Sequence, residues 1–243
     1  MEVDVAIPAT VAFVDDGAGI SGATDEAEVA VTRLQGPPEA LGTAAALLSD
    51  EERERAGRFA FDRDRRRFIF GRARLRQLLA ARLGVRPESV ALTYGAHGKP
   101  ALAPRFSGSG LRFNVSHRGD LAVFAFASGC EVGIDVEAIH VLRGADEIAA
   151  CCFSRRENKA YQALDPRLRP LGFFNCWTRK EAYLKALGEG LHHPLGCFDV
   201  SLTPGEPARI LRVGNTPGDQ CGWRMRSFSP APGFVAAVVT EAA

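Results

Sequence analysis

Apolar residues recur at helical spacing in the first part of the chain. Ser49, followed three residues later by Glu52, forms a capping-box pattern and predicts that a helix begins there. A second helix is predicted over about 64–83, because its apolar residues share one helical face and Gly84 follows as a stop. Residues 20–48, rich in Gly, Ala, Pro and Thr, give few signals for either type of element.

Short strands follow this helical region. Alternating side chains predict strands at 90–94, around 113–115, over 121–127 and over 131–137. A turn at Gly119-Asp120 is expected to join the second and third of these strands.

A helix-then-strand order then appears a second time. Ser154 and Glu157 form another capping box, a longer helix is predicted over about 173–187, and strands are predicted within 197–240. Because helices and strands mix without a regular βαβ rhythm, the sequence predicts an α+β fold rather than a doubly wound sheet. The repeated order also indicates two similar halves.

Composition sets the broad class of protein. The chain has 243 residues, 46% of them hydrophobic and 24% charged, with a net charge of +1. This is enough for one sizeable core or two small fused ones. We expect no membrane span and no secretory signal, and therefore a cytoplasmic location. The six cysteines form no C-x-x-C pair, so small core residues in a reducing compartment are favoured over a zinc site.

Charge is unevenly distributed along the chain. Residues 1–50 carry nine acidic residues and one arginine, whereas residues 51–86 carry twelve arginines and five acidic residues. A basic surface of this kind attracts phosphates or an acidic protein. Nucleic acid binding would require exposed aromatic residues interleaved with the arginines. Because Phe68 fits the helix core, nucleic acid is not an expected partner.

A strand with two carboxylates is the first candidate site. In the segment E-V-G-I-D-V-E over 131–137, the apolar residues alternate with the rest and face the core. Asp135 and Glu137 then share the other face, about 6.5–7 Å apart. Two carboxylates this close repel each other unless a cation lies between them, and oxygen ligands favour magnesium, manganese or calcium over zinc. The alternative is a polar strand face that is open to water.

The segment W-T-R-K-E-A-Y-L-K over 177–185 is the second candidate. Glu181 and Lys185 are four residues apart and share one helix face, where a carboxylate and an ammonium group can hold a metal and a phosphate side by side. The alternatives are structural. Thr178 with Glu181 fits a capping box, and Glu181 with Lys185 fits an ordinary helix ion pair.

Two further segments supply groups that can bind phosphate. Lys99 stands between Gly98 and Pro100 in a predicted rigid turn. Ser116 and His117 close the segment F-N-V-S-H at a strand end, where a hydroxyl and an imidazole can donate hydrogen bonds to phosphate. An ordinary surface histidine is the alternative for His117.

In this order, the segments G-K-P, F-N-V-S-H, G-I-D-V-E and W-T-R-K-E-A-Y-L-K-A-L-G resemble the 4′-phosphopantetheinyl transferase superfamily. More narrowly, they resemble its surfactin-synthetase-type (Sfp-type) branch, from about Ser49 to Phe198. The resemblance implies two similar α+β halves related by a pseudo-twofold axis, with coenzyme A in the cleft between them. The junction is expected after Gly129, which gives an N-terminal half over 1–129 and a C-terminal half over 130–243.

The resemblance also implies a role for each motif residue. Asp135, Glu137 and Glu181 are expected to bind magnesium, for which manganese can substitute. Glu181 is expected to act as general base, directly or through a metal-bound water, and Lys185 to contact the diphosphate of coenzyme A during catalysis. The other nucleotide contacts are expected from Arg55, Arg67, Lys99, Pro100, Ser116, His117 and Lys180.

These roles imply transfer of the 4′-phosphopantetheine arm of coenzyme A to a serine of an apo acyl or peptidyl carrier protein, with release of adenosine 3′,5′-bisphosphate. The carrier protein is expected to dock on 139–172. A monomer is expected to be active, because one chain contains both halves. The main rival is a magnesium-dependent phosphohydrolase that uses the same carboxylates. The motifs leave open which carrier protein is modified and whether acylated coenzyme A is accepted.

Overall fold

The computed structural model describes residues 27–95, 98–188 and 194–242. The helices are α1 (Pro38–Ala46), α2 (Asp50–Gly57), α3 (Asp62–Leu83), α4 (Ala145–Cys152), α5 (Arg155–Gln162) and α6 (Arg169–Leu187). The strands are β1 (Glu28–Arg33), β2 (Leu92–Tyr94), β3 (Pro100–Leu102), β4 (Leu111–Arg118), β5 (Leu121–Ser128), β6 (Val132–Ala138), β7 (Phe198–Val200), β8 (Ile210–Val213), β9 (Thr216–Pro217), β10 (Trp223–Phe228) and β11 (Phe234–Glu241).

Two antiparallel sheets of three strands form the centre of the fold. The first has the order β1-β5-β4 and the second the order β10-β11-β6. Each sheet carries one long helix on its outer face, α3 on the first sheet and α6 on the second. This repetition confirms the α+β class and agrees with two similar halves. The boundary between 129 and 130 stays a prediction.

A shared apolar layer lies between the two sheets. The alternation along β5 shows how it forms: Leu121, Val123 and Ala125 face the second sheet, whereas Phe124 and Phe126 face α3. Strand β6 contributes Val132, Ile134 and Val136 to the same layer, as the apolar alternation predicts. The order of layers is therefore helix, sheet, sheet, helix, and the two halves share one core.

Side chains of β4 bond to the backbone of β6 where the two strands run side by side. The backbone N–H of Ile134 donates to Asn114 Oδ1 at 3.1 Å, and the N–H of Val136 donates to Ser116 Oγ at 3.3 Å. We call this row of contacts the β4–β6 seam. It satisfies buried backbone donors of β6 that have no strand partner on that side.

Strand β6 also lies very close to α6. A Cβ atom at Gly133 would be 2.1 Å from the carbonyl oxygen of Ala182 and 2.3 Å from the nitrogen of Ala186. Only glycine fits between the two backbones, so Gly133 sets the distance between the strand and the helix.

Both capping boxes predicted from the sequence are present, at Ser49 with Glu52 and at Ser154 with Glu157. No specific prediction covered β1, α1, β3, α4, β9 or β10. Among the described residues, no helix is long and apolar enough to cross a membrane. All six cysteines are free thiols.

Candidate active site

Asp135 is buried at the centre of the site, with 8% of its side chain exposed. The interpretation of its strand face as open to water is wrong, because α6 covers that face. Asp135 Oδ1 accepts hydrogen bonds from Ser116 Oγ at 2.8 Å and from Lys185 Nζ at 2.6 Å. Its other oxygen, Oδ2, is buried without a hydrogen-bond partner in the structure. A buried carboxylate oxygen left in this state is ready to bind a cation.

Lys185 reaches from α6 to β6. Its Nζ lies 2.6 Å from Asp135 Oδ1 and 3.1 Å from Ser116 Oγ. The ammonium group therefore bonds across the strand–helix contact, to residues outside its own helix. The alternative interpretation of Thr178 as a capping residue is wrong. Because α6 begins at Arg169, Thr178 lies inside the helix and donates to the carbonyl of Phe174 at 2.8 Å.

Glu137 is half-buried and faces a residue that sequence reasoning did not select. Arg118 Nε, at the end of β4, lies 3.1 Å from Glu137 Oε2. Desolvation raises the pKa of Glu137, Arg118 opposes that change, and the negative charge of Asp135 adds to it. Glu137 thus forms an ion pair with a residue of the first half, and the charge of Asp135 contributes to its raised pKa.

Glu181 completes the acidic group. Desolvation is the largest cause that raises its pKa, and the charge of Asp135 adds to it. Lys185 opposes the change, and Glu137 adds further to it. The three carboxylates therefore act on one another, as the predicted shared site requires.

These carboxylates are not arranged as a complete metal site. Within the part of the chain that the structure describes, no three His, Cys, Asp or Glu side chains form a group that could hold a metal ion by themselves. Magnesium usually takes only one or two carboxylates and completes its shell with water and phosphate oxygens. The all-oxygen donor set and the unpartnered Asp135 Oδ2 fit such an ion.

Two basic residues of the first half, His117 and Arg67, belong to the predicted nucleotide site. Desolvation, followed by the positive charges of Lys185 and Arg67, lowers the pKa of His117 below its usual 6.5. The charges of Lys185 and Arg67 thus both favour the neutral form of His117. Arg67 Nε lies 2.6 Å from Asp120 Oδ1, and this hydrogen bond lowers the pKa of Asp120. An anion that binds Arg67 would compete with Asp120.

Lys99 lies at the end of α6. Its Nζ donates to the carbonyl of Lys185 at 2.5 Å and so caps a terminal carbonyl of the helix. Burial is the main cause that lowers the pKa of Lys99. Pro100 is the first residue of β3, and Arg55 lies on α2 with its guanidinium carbon 5.4 Å from the ring centre of Phe68.

Lys180 does not face the site, so its expected contact with the nucleotide is wrong. Its side chain is 1% exposed and lies 2.9 Å from Glu157 Oε2. Its Nζ also donates to the carbonyls of Leu195 and Phe198 at 2.7 Å each. Glu157 is the capping-box glutamate of α5, so the buried pair connects α6 to α5 and β7. Consecutive residues of an α-helix are rotated by about 100°, so Lys180 points to a different side of α6 from Glu181.

Two site residues escaped the sequence analysis. A glycine inside an apolar strand, as at Gly133, is the usual sign of a close backbone approach and could have been recognised. The pairing of Arg118 with Glu137 depends on strands from both halves, and nothing in either segment indicates it.

Family models match both halves of the chain. The model described as "4'-phosphopantetheinyl transferase superfamily" matches residues 131–239, and the model described as "4'-phosphopantetheinyl transferase, N-terminal" matches residues 36–129. The first contains the three carboxylates and Lys185. The second contains Arg67, Lys99 and His117.

Curated relatives agree with these models. The chain is 38% identical over 215 residues to the 4′-phosphopantetheinyl transferase HetI of Nostoc sp. strain PCC 7120, covering 88% of this chain and 87% of the relative. It is 32% identical over 157 residues to the 4′-phosphopantetheinyl transferase of Bacillus subtilis, covering 65% and 67%. With psf-1 of Bacillus pumilus the identity is 30% over 197 residues, covering 80% and 79%. The sequence motifs, the family models and these relatives agree, and the chain belongs to the 4′-phosphopantetheinyl transferase superfamily.

Proposed function

We propose that this protein transfers the 4′-phosphopantetheine arm of coenzyme A to a serine of an apo carrier protein and releases adenosine 3′,5′-bisphosphate. The observation that carries the proposal is the contact between Asp135 and Lys185. It places a carboxylate with one unpartnered oxygen beside a fixed ammonium group. A diphosphate with its cation needs these two kinds of group side by side.

The phosphates of coenzyme A would bind the cationic side of the site. Lys185 would contact the diphosphate. His117, Arg67 and Lys99 would contact the remaining phosphates, with Arg55 and Pro100 at the edge of the nucleotide site. Arg67 suits the 3′-phosphate because its planar guanidinium can donate two hydrogen bonds. Its ion pair with Asp120 keeps the guanidinium in place until the phosphate arrives.

Asp135, Glu137 and Glu181 would hold magnesium, or manganese in its place. The ion would neutralise charge on the diphosphate. For Glu137, binding would weaken its ion pair with Arg118, which then becomes available to an approaching anion. The magnesium requirement and the manganese substitution are parts of the proposal.

Glu181 would accept the proton of the attacking serine through a carboxylate oxygen that does not bind the ion. The serine oxygen forms a bond to the β-phosphorus of coenzyme A, and the bond from that phosphorus to the bridging oxygen of the diphosphate breaks. The raised pKa of Glu181 supports this role, since a general base works best when its pKa approaches the working pH. Reactions of this class depend chiefly on positioning and on charge neutralisation.

The carrier protein would dock on the segment 139–172. A cavity of about 280 Å³ lies there, between the chain before α4 and the first turns of α6. Val141 is 85% exposed beside it, and Arg155 and Arg156 are exposed on α5. Apolar and basic groups in this combination suit an acidic carrier protein. Phe153, which lies within this segment, is buried in the core and is not part of the docking surface.

Intact-mass spectrometry of several apo carrier proteins, incubated with the protein, coenzyme A and magnesium, tests the proposal. We expect a gain of one phosphopantetheine mass on the carrier. Release of adenosine bisphosphate without any carrier protein would favour the phosphohydrolase instead. Sedimentation of the active species tests the predicted monomer, and the cytoplasmic location stays a prediction.

A further inference from the structure

Ser116 was expected to bind phosphate, but its hydroxyl is fully engaged within the protein. The side-chain oxygen donates its proton to Asp135 Oδ1 at 2.8 Å. It accepts hydrogen bonds from Lys185 Nζ at 3.1 Å and from the backbone N–H of Val136 at 3.3 Å. A serine hydroxyl has one proton and two lone pairs, so these three bonds use its whole capacity.

The partners of Ser116 belong to the other half of the chain. Asp135 and Val136 lie on β6, and Lys185 lies on α6, whereas Ser116 lies on β4. The residue is 7% exposed. A phosphate could reach its hydroxyl only if one of the three bonds were broken, and each of those bonds satisfies a buried or charged group.

The hydroxyl also determines which oxygen of Asp135 is free. Ser116 and Lys185 both bond Oδ1, and Oδ2 alone remains without a hydrogen-bond partner. A carboxylate fixed in this way cannot rotate to present both oxygens equally. Mutation of a group that orients a metal ligand from behind typically lowers metal affinity or activity by about 10–100-fold.

We infer that Ser116 is a positioning residue of the second half's acidic site, and that its hydroxyl is not a ligand of coenzyme A. Through the β4–β6 seam it aims Asp135 Oδ2 at the cation, whereas Lys185 keeps its shorter contact with Asp135 itself. The inference rests on the proposed function, because it takes the cation and coenzyme A as the ligands.

The test measures two binding constants without turnover. Manganese binding is followed by electron paramagnetic resonance in the presence of coenzyme A and without carrier protein. Coenzyme A binding is followed by calorimetry in EDTA. For Ser116→Ala we expect manganese binding to weaken by about 10–100-fold. Coenzyme A binding in EDTA should stay within about twofold of the wild-type value.

Two variants serve as controls. Asn114→Ala removes the neighbouring seam bond, which joins Asn114 to the N–H of Ile134 and does not involve Asp135. It should leave manganese binding within about twofold. Ser116→Thr keeps the hydroxyl and should restore most manganese binding. Should Ser116→Ala fail to fold by circular dichroism, Ser116→Cys, which keeps only a weak donor, takes its place.

Two results would overturn the inference. One is unchanged manganese binding by Ser116→Ala, and the other is a drop of about tenfold in its coenzyme A affinity in EDTA, which a phosphate ligand would give. A wild-type protein that binds no coenzyme A would instead overturn the proposed function. The two failures are therefore distinguishable.

Discussion

Gly133→Ala tests how closely the chemistry depends on the contact between β6 and α6. The added methyl group would lie 2.1 Å from the carbonyl oxygen of Ala182 and 2.3 Å from the nitrogen of Ala186. Both neighbours are backbone atoms inside a helix, so neither can turn aside as a side chain does. The strand conformation itself suits alanine, and the effect of the substitution therefore comes from space alone.

The size of the effect follows from these distances. Cβ atoms essentially never approach other atoms within 3.0 Å, so the strand and the helix would separate by roughly 1 Å. Overpacking of this kind costs about 1–3 kcal/mol. In a chain of this size, each kcal/mol lowers Tm by about 2–4 °C. The 2.6 Å contact between Lys185 and Asp135 would lengthen by a similar amount. A displacement of about 1 Å among catalytic groups can slow a reaction by about 10²-fold.

The assay is the transfer rate to an apo carrier protein, measured well below the Tm of each variant, beside a thermal unfolding curve. Gly42→Ala is the matched control, because Gly42 lies in α1 and a Cβ there meets nothing within 4 Å. That change should raise stability by about 0.5–1 kcal/mol and leave the rate unchanged. A Gly133→Ala variant with wild-type Tm and rate would refute the reasoning.

Three further substitutions address the site. Asp135→Asn should lower the transfer rate by about 10²-fold or more, and EDTA should stop the wild-type enzyme until magnesium is restored; normal turnover by the variant at low millimolar magnesium would contradict this role. Glu181→Gln should lower kcat strongly yet raise Tm at pH 7. The pKa of Glu181 is raised in the folded protein, so its ionisation reduces stability as pH rises from the usual glutamate pKa through the folded-state pKa. A lower Tm for the variant in a pH series of unfolding curves would contradict this prediction. Lys185→Met should weaken coenzyme A binding in calorimetry, and the defect should persist with dephospho-coenzyme A. The defect of Arg67→Ala should largely disappear with that analogue, because the 3′-phosphate is absent. If Arg67→Ala weakened the binding of both nucleotides equally, Arg67 would not be a ligand of the 3′-phosphate.

The sequence predicted those elements whose ends depend on residues close together in the chain. The capping boxes at Ser49 and Ser154 fixed two helix starts because the bonds involve residues only three apart. Helix α4 follows Gly144, which supplies no side-chain cap, and was therefore not predicted. Strand β1 was also missed, although its β-branched Val29, Val31 and Thr32 are typical of a strand. The start of α6 was placed too late for a similar reason, since Leu168 supplies no capping side chain.

The site residues followed from motifs, but their surroundings did not. Alternation along β6 correctly separated Asp135 and Glu137 from the apolar face. It could not predict that α6 would bury Asp135, because that contact joins residues 50 positions apart in the chain. The prediction for Lys180 was wrong for the same reason. Its partner Glu157 belongs to another helix, and the sequence does not indicate the pair.

The apolar layer between the two sheets has a consequence for protein engineering. A fragment that ended at Gly129 would expose Val123 and Ala125, and the complementary fragment would expose Ile134 and Val136. Each fragment would then carry an exposed apolar sheet face and an unpaired edge strand, a combination that promotes aggregation. Produced together, the pieces could instead reassemble, because each supplies what the other lacks. Fragment complementation would be measured as recovery of transfer activity. The two fragments would then serve as a split reporter.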